Sequence, residues 1–184
     1  MGFSDWIQIL TAATSLLLLL TAAGTDIWRY RIPNYLVLGI VGAFAVYALA
    51  AANWPQLGWS LAAGLSVMIV GTVLFALRMF GGGDVKLLGA MALWTGFTDL
   101  QRFLLIMGVA GGILAVVWLV RRSYQRRARA QTVPLPVPAP DGEPAAAPAM
   151  SKRIPYGVAI AIAGFDFFLL NMHSPILRLW PTLS

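Results

Sequence analysis

Long apolar runs recur along this chain, several of them about 20 residues, enough to cross roughly 30 Å of hydrocarbon. Of the 184 residues, 59% are hydrophobic and 11% are charged, against a usual charged share of about 25%. Lipid offers backbone groups no water to pair with, so spans of this kind must be helical. The alternating apolar and polar segments of a membrane barrel are absent. The expected fold class is an all-α membrane protein.

Six spans are expected: about 5–25, 33–52, 57–80, 84–98, 103–120 and 154–171. The N-terminus carries Asp5 and no Lys or Arg before its apolar run, unlike a secretory signal. It reads as a retained first helix. Pro33 suits a helix start, where its missing N–H leaves nothing unpaired. Asn53-Trp54-Pro55 reads as a turn with an interfacial tryptophan, and Asp99-Leu100-Gln101-Arg102 as the turn before the fifth helix. Residues 121–153 begin with five arginines and continue through prolines and alanines. That composition predicts a flexible loop within a single domain spanning 1–184.

Charge sets the orientation. With six spans and the N-terminus outside, the inner loops hold Arg29, Arg31, Arg78, Lys86, the five arginines of 121–129, Lys152 and Arg153; only Arg102 and Arg178 lie outside. This bias predicts both termini on the outer, periplasmic side. It also explains the net charge of +6 without nucleic acid. The arginine-rich start of the loop suits anionic headgroups of the bilayer. There is no cysteine, hence no disulfide, thiolate nucleophile or cysteine metal site. No metal and no cofactor is expected.

Within this apolar frame, Gly81-Gly82-Gly83-Asp84-Val85-Lys86 stands out. Three consecutive glycines disfavour helix. They predict a bare loop that delivers Asp84 to the head of the fourth helix. That helix is short, so the loop is expected to dip below the membrane surface, where only protein or a wet cavity can satisfy it. Ionisable groups at such depth are functional candidates and have partners. The expected partner is Asp26, at the same membrane face. Two carboxyl groups held close share one proton, because like charges disfavour the second ionisation. The ionised member then takes a proton from water while the neutral one polarises a carbonyl.

Gly81-x-Gly83-Asp84 resembles the G-x-G-D signature of intramembrane aspartyl proteases. Asp26 with Arg29, Arg31, Ile32, Pro33 and Asn34 resembles the first-aspartate region of type IV prepilin peptidases. Residues 154–161, from Ile154-Pro155-Tyr156-Gly157 onward, are similar to the last-helix segment of the small tight-adherence (Flp pilus) branch. The resemblance implies an aspartic endopeptidase in the bacterial inner membrane. It would cleave basic leader peptides from prepilins at the cytoplasmic face. Larger members carry a methyltransferase region and a cysteine zinc motif. Neither occurs here, so no N-methylation is expected. Carried over, Asp26 and Asp84 are the catalytic pair, Gly81, Gly82 and Gly83 shape the loop, and Lys86 is its neighbour. Asn34, Pro155, Tyr156 and Gly157 are candidates for lining the substrate site.

Plainer readings stand beside these. Asp84 suits a helix N-cap, Asp26 an ion pair with Arg29 or Arg31, and Lys86 a snorkelling interface residue. Asp166 falls within the sixth helix and is expected to bond a neighbouring helix or hydrate a cavity. Gly108 and Gly112 have the spacing of close helix packing, and His173 reads as a surface histidine. Two other functions compete: a proton-coupled transporter using Asp26, Asp84 and Asp166 as relay carboxylates, and a non-catalytic pilus assembly component docking through the arginine-rich loop.

Overall fold

The computed structural model describes residues 2–29, 31–131 and 156–177, and every regular element among them is helical. The order is α1 (Phe3–Arg29), α2 (Asn34–Ala51), α3 (Trp54–Ala76), α4 (Gly82–Gln131) and α5 (Tyr156–Leu177). Four of these, α1 to α4, contain stretches long and apolar enough to cross a membrane. Leu17, Leu38, Leu49, Leu65 and Leu105 are each more than 60% exposed on their outer faces. In water such faces would aggregate; against lipid they are ordinary. The protein is a multi-pass, all-α membrane protein.

The chain divides into two compact units, residues 1–111 with 155–184 and residues 112–154. In the first, α1 packs against α2 and α5. Leu19, Ile40, Leu87, Met91, Ile160 and Phe168 form its fully buried centre. Glycines let backbones approach there: a Cβ at Gly71 would strike Val85, one at Gly89 would strike Met68, and one at Gly164 would strike Leu19. Gly108 and Gly112, expected at such contacts, meet nothing within 4 Å among the described residues. The packing face of that segment carries Phe103, Ala110 and Gly111 instead.

Local signals set the starts. Asn53 accepts a hydrogen bond from the Gln56 amide at 3.3 Å and caps α3, with Pro55 in its first turn. Asn53 therefore opens the helix at Trp54, earlier than the expected 57. Gly82 and Gly83 also belong to a helix, the first turn of α4, so only Gly81 of the three glycines lies outside it.

The largest departure from expectation is inside α4. Gly96 has φ 55° and ψ −169°, a region that essentially only glycine occupies. On either side of it the chain runs in opposite directions along α5. Met91 and Trp94 meet Gly164 and Phe168, while Arg102 and Gly111 meet Asp166 and Ala159. The reversal thus falls at Gly96, and Asp99–Arg102 is helical. Charge at 99–102 marked a polar surface, but the bend needed a residue without a side chain. The first arm, 82–95, rises about 21 Å.

Of the second unit, residues 112–131 are described and are helical. Helix therefore continues past Arg121, where a loop was expected to begin, to Gln131. The Arg122 guanidinium lies over the Trp118 ring at 5.0 Å. The rest of the expected loop, 132–153, lies outside the described residues.

Candidate active site

Five polar or charged side chains are buried among the described residues: Ser15, Asp26, Ser60, Asp84 and Thr95. Only two of these ionise, and they are the aspartates singled out above. Asp26 is 6% exposed and Asp84 is 9% exposed. Burying a carboxyl group costs several kcal/mol unless it is hydrogen-bonded or neutralised. Nothing in an apolar bundle demands that cost.

Asp26 sits in the last turn of α1, which continues to Arg29 rather than stopping near 25. Its Oδ2 accepts a hydrogen bond of 2.8 Å from the Gly157 amide, at the start of α5. The first amides of a helix lack intrahelical partners, so α5 offers its free donor to this carboxylate. A Cβ at Gly157 would lie 2.8 Å from Oδ2 and 3.1 Å from Cγ of Asp26. Glycine is what permits the approach.

Asp84 lies in the first turn of α4. Its carboxylate folds back over Gly81, where a Cβ would stand 2.6 Å from Oδ2. A Cβ at Gly83 would come within 3.2 Å of Ile32 Cβ, and one at Gly82 within 3.2 Å of the Phe75 ring. The two outer glycines of Gly81-x-Gly83-Asp84 therefore have different tasks. One makes room for the carboxylate, and the other seats the α4 start against the α1–α2 connection.

Two contacts bring the aspartates to one end of the bundle. Ile32, just after α1, touches Gly83, the neighbour of Asp84. Phe80 stacks on Tyr156 at 5.3 Å, and Tyr156 precedes the Gly157 that holds Asp26. Lys86 Nζ donates to Asn34 Oδ1 at 3.1 Å, tying α4 to the start of α2 at this same end. Lys86 is exposed, as suits a snorkelling residue. Asn34 and Tyr156 thus border the site, with Gly157 inside it; Pro155 lies outside the described residues. Phe80 is an addition that sequence reasoning missed, and Ile32, quoted in the first-aspartate region, gains a contact with Gly83.

Asp166 is elsewhere. Arg102 Nε donates to its Oδ2 at 3.1 Å and Nη2 to its Oδ1 at 3.4 Å. It bonds a neighbouring helix segment, one of the two expected alternatives. Among the described residues, no three His, Cys, Asp or Glu side chains are grouped to hold a metal ion.

A family model described as the type IV leader peptidase family matches residues 13–116, more than half of the chain. The chain belongs to that family. The matched stretch contains Asp26 and the Gly81–Asp84 motif and ends before α5. Membership implies aspartic peptidase activity on the leader peptides of prepilins, in keeping with the apolar helices. No curated protein and no solved structure matches the chain.

Proposed function

We propose that Asp26 and Asp84 are the catalytic pair of this leader peptidase. The observation that carries the reading is that they are the two buried ionisable residues among those described, and that they gather at one end of the bundle. One carboxylate takes a proton from water as its oxygen attacks the scissile carbonyl carbon. The other, protonated, donates to the carbonyl oxygen as it becomes negative. Collapse of the tetrahedral intermediate breaks the C–N bond, and the first carboxyl passes its proton to the leaving amine. The Gly157 N–H takes one lone pair of Asp26 Oδ2, which favours Oδ1 as the seat of a proton on Asp26.

The substrate is a prepilin of the Flp type, cut between its basic leader and its apolar helix. The reaction takes place at the cytoplasmic face of the bacterial inner membrane, without N-methylation. Support for this face comes from the charge bias: Arg29, Arg31, Arg78 and Lys86 cluster around the aspartate end of the helices, where positive residues favour the cytoplasm. The two arms of α4 count as separate spans, giving six with both termini periplasmic. Support for that count is the reversal at Gly96 and the length of α4, 50 residues, far beyond a single crossing. The Arg102–Asp166 pair disfavours a carboxylate relay through Asp166, since that side chain is committed to a guanidinium.

The test is co-expression with a candidate prepilin, read as a gel shift. Asp26→Asn and Asp84→Asn should each abolish processing while the protein still inserts. Full cleavage by either variant refutes the catalytic pair.

A further inference from the structure

At the other end of the bundle lies a cavity of about 660 Å³, within the size range of small-molecule sites. It contains neither aspartate of the catalytic pair. Asp5 lines it and Asp26 does not; the two are separated by about 30 Å along α1. Its walls come from α1, α2, α3, both arms of α4, and α5.

The chemistry of the lining is one-sided. Asp5 and Asp99 face the cavity, and among the described residues no Lys, Arg or His does. Asp5 is used, accepting from the Gly2 amide at 2.8 Å. Asp99 has no partner among the described residues. Arg102, one turn further on, is committed to Asp166 by two hydrogen bonds. Ser60 is 7% exposed, lines the cavity and faces Gly96, where a Cβ would meet its Oγ at 3.4 Å. Its hydroxyl has no hydrogen-bond partner among the described residues. The oxygen is open to the cavity and not buried beneath it, since Ser15 Oγ is the one buried, unpaired side-chain polar atom among the described residues.

Tyr47, Trp59 and Phe97 contribute rings. Aromatic faces attract organic cations, tryptophan most strongly.

We propose that this cavity binds an organic ammonium ion, with Asp99 as its counter-charge and the Tyr47, Trp59 and Phe97 rings around its carbon substituents. Ser60 supplies a polar contact at the floor. The ammonium group comes either from a soluble amine or from an ammonium-bearing lipid headgroup.

The test uses the full-length protein in bilayer discs of phosphatidylglycerol, which carries no ammonium. Tetramethylammonium chloride is titrated against intrinsic tryptophan fluorescence, with sodium chloride at equal concentration as control. A saturable change specific to tetramethylammonium is expected, weakened at least tenfold in Asp99→Asn and in Trp59→Leu, with leader cleavage unchanged in both. No saturable change, the same change with sodium, or equal binding by both variants overturns the proposal. Trp59 is largely exposed, so Trp59→Leu carries the test should Asp99→Asn fail to fold. Discs containing phosphatidylethanolamine identify the source. Weakened tetramethylammonium binding there supports a headgroup occupant, and unchanged binding supports a soluble amine.

Discussion

The amide of Gly157 donates to Oδ2 of Asp26 across 2.8 Å, joining residues 131 positions apart in the chain. The bond ties the last described helix to the first at the place where a buried carboxyl group needs a partner. It also makes Gly157 a positioning residue for the proposed chemistry.

Replacing Gly157 by Ala places a methyl group against the Asp26 carboxylate. Displacement of a catalytic group by about 1 Å can cost on the order of a hundredfold in rate. Gly157→Ala should therefore lower the initial rate of leader cleavage by about ten- to a hundredfold. Insertion and prepilin binding should be little changed. A near-native rate would show that Asp26 does not need its present orientation.

The glycines before Asp84 should differ in tolerance. Gly81→Ala forces the Asp84 carboxylate to move, since the new Cβ would lie 2.6 Å from its oxygen. Gly82→Ala meets only the edge of the Phe75 ring at 3.2 Å, which can rotate away. Cleavage assays should rank Gly82→Ala well above Gly81→Ala. The reverse order would contradict the placement of Asp84 over Gly81.

These glycines also show what was legible in the sequence and what was not. The helical class and the choice of Asp26 and Asp84, the two buried aspartates, follow from apolar length and the motif around Asp84. The reversal in α4 was misplaced because charge at Asp99 and Arg102 reports contact with polar surroundings, whereas a turn is set by backbone freedom at Gly96. Gly157 as a hydrogen-bond donor left no local trace, since backbone amides carry no signature and the partner is remote. The cavity at the opposite end was invisible for a related reason: its unremarkable lining residues are scattered over five helices. Helix beyond Arg121 was masked by arginine content, although arginine is itself a good helix former.

Gly96→Ala tests the reversal. An alanine held at φ 55° and ψ −169° costs about 1–3 kcal/mol. The variant should show a lowered Tm and reduced folded yield. An unchanged Tm would mean that the backbone at 96 is not held as described.

The Arg102–Asp166 pair should matter for stability and not for chemistry. Its side chains are 57% and 34% exposed, and pairs of this kind contribute roughly 0.2–1 kcal/mol. Arg102→Ala and Asp166→Asn should each lower thermal stability slightly and leave the cleavage rate unchanged. A double-mutant cycle should show that the two losses are not additive. Loss of cleavage in Asp166→Asn would revive the relay reading.

The convergence of Asp26 and Asp84 is tested most directly by crosslinking, because the chain contains no cysteine of its own. Asp26→Cys with Asp84→Cys, in the full-length protein in membranes, is treated with a short bifunctional thiol reagent, and linked peptides are read by mass spectrometry. Phe80→Cys with Tyr156→Cys, at ring centres 5.3 Å apart in the native chain, is the positive control. Efficient linkage of positions 26 and 84 is the predicted result. Linkage of the control pair alone, with both thiols of the test pair reactive but never joined, would contradict a shared catalytic site.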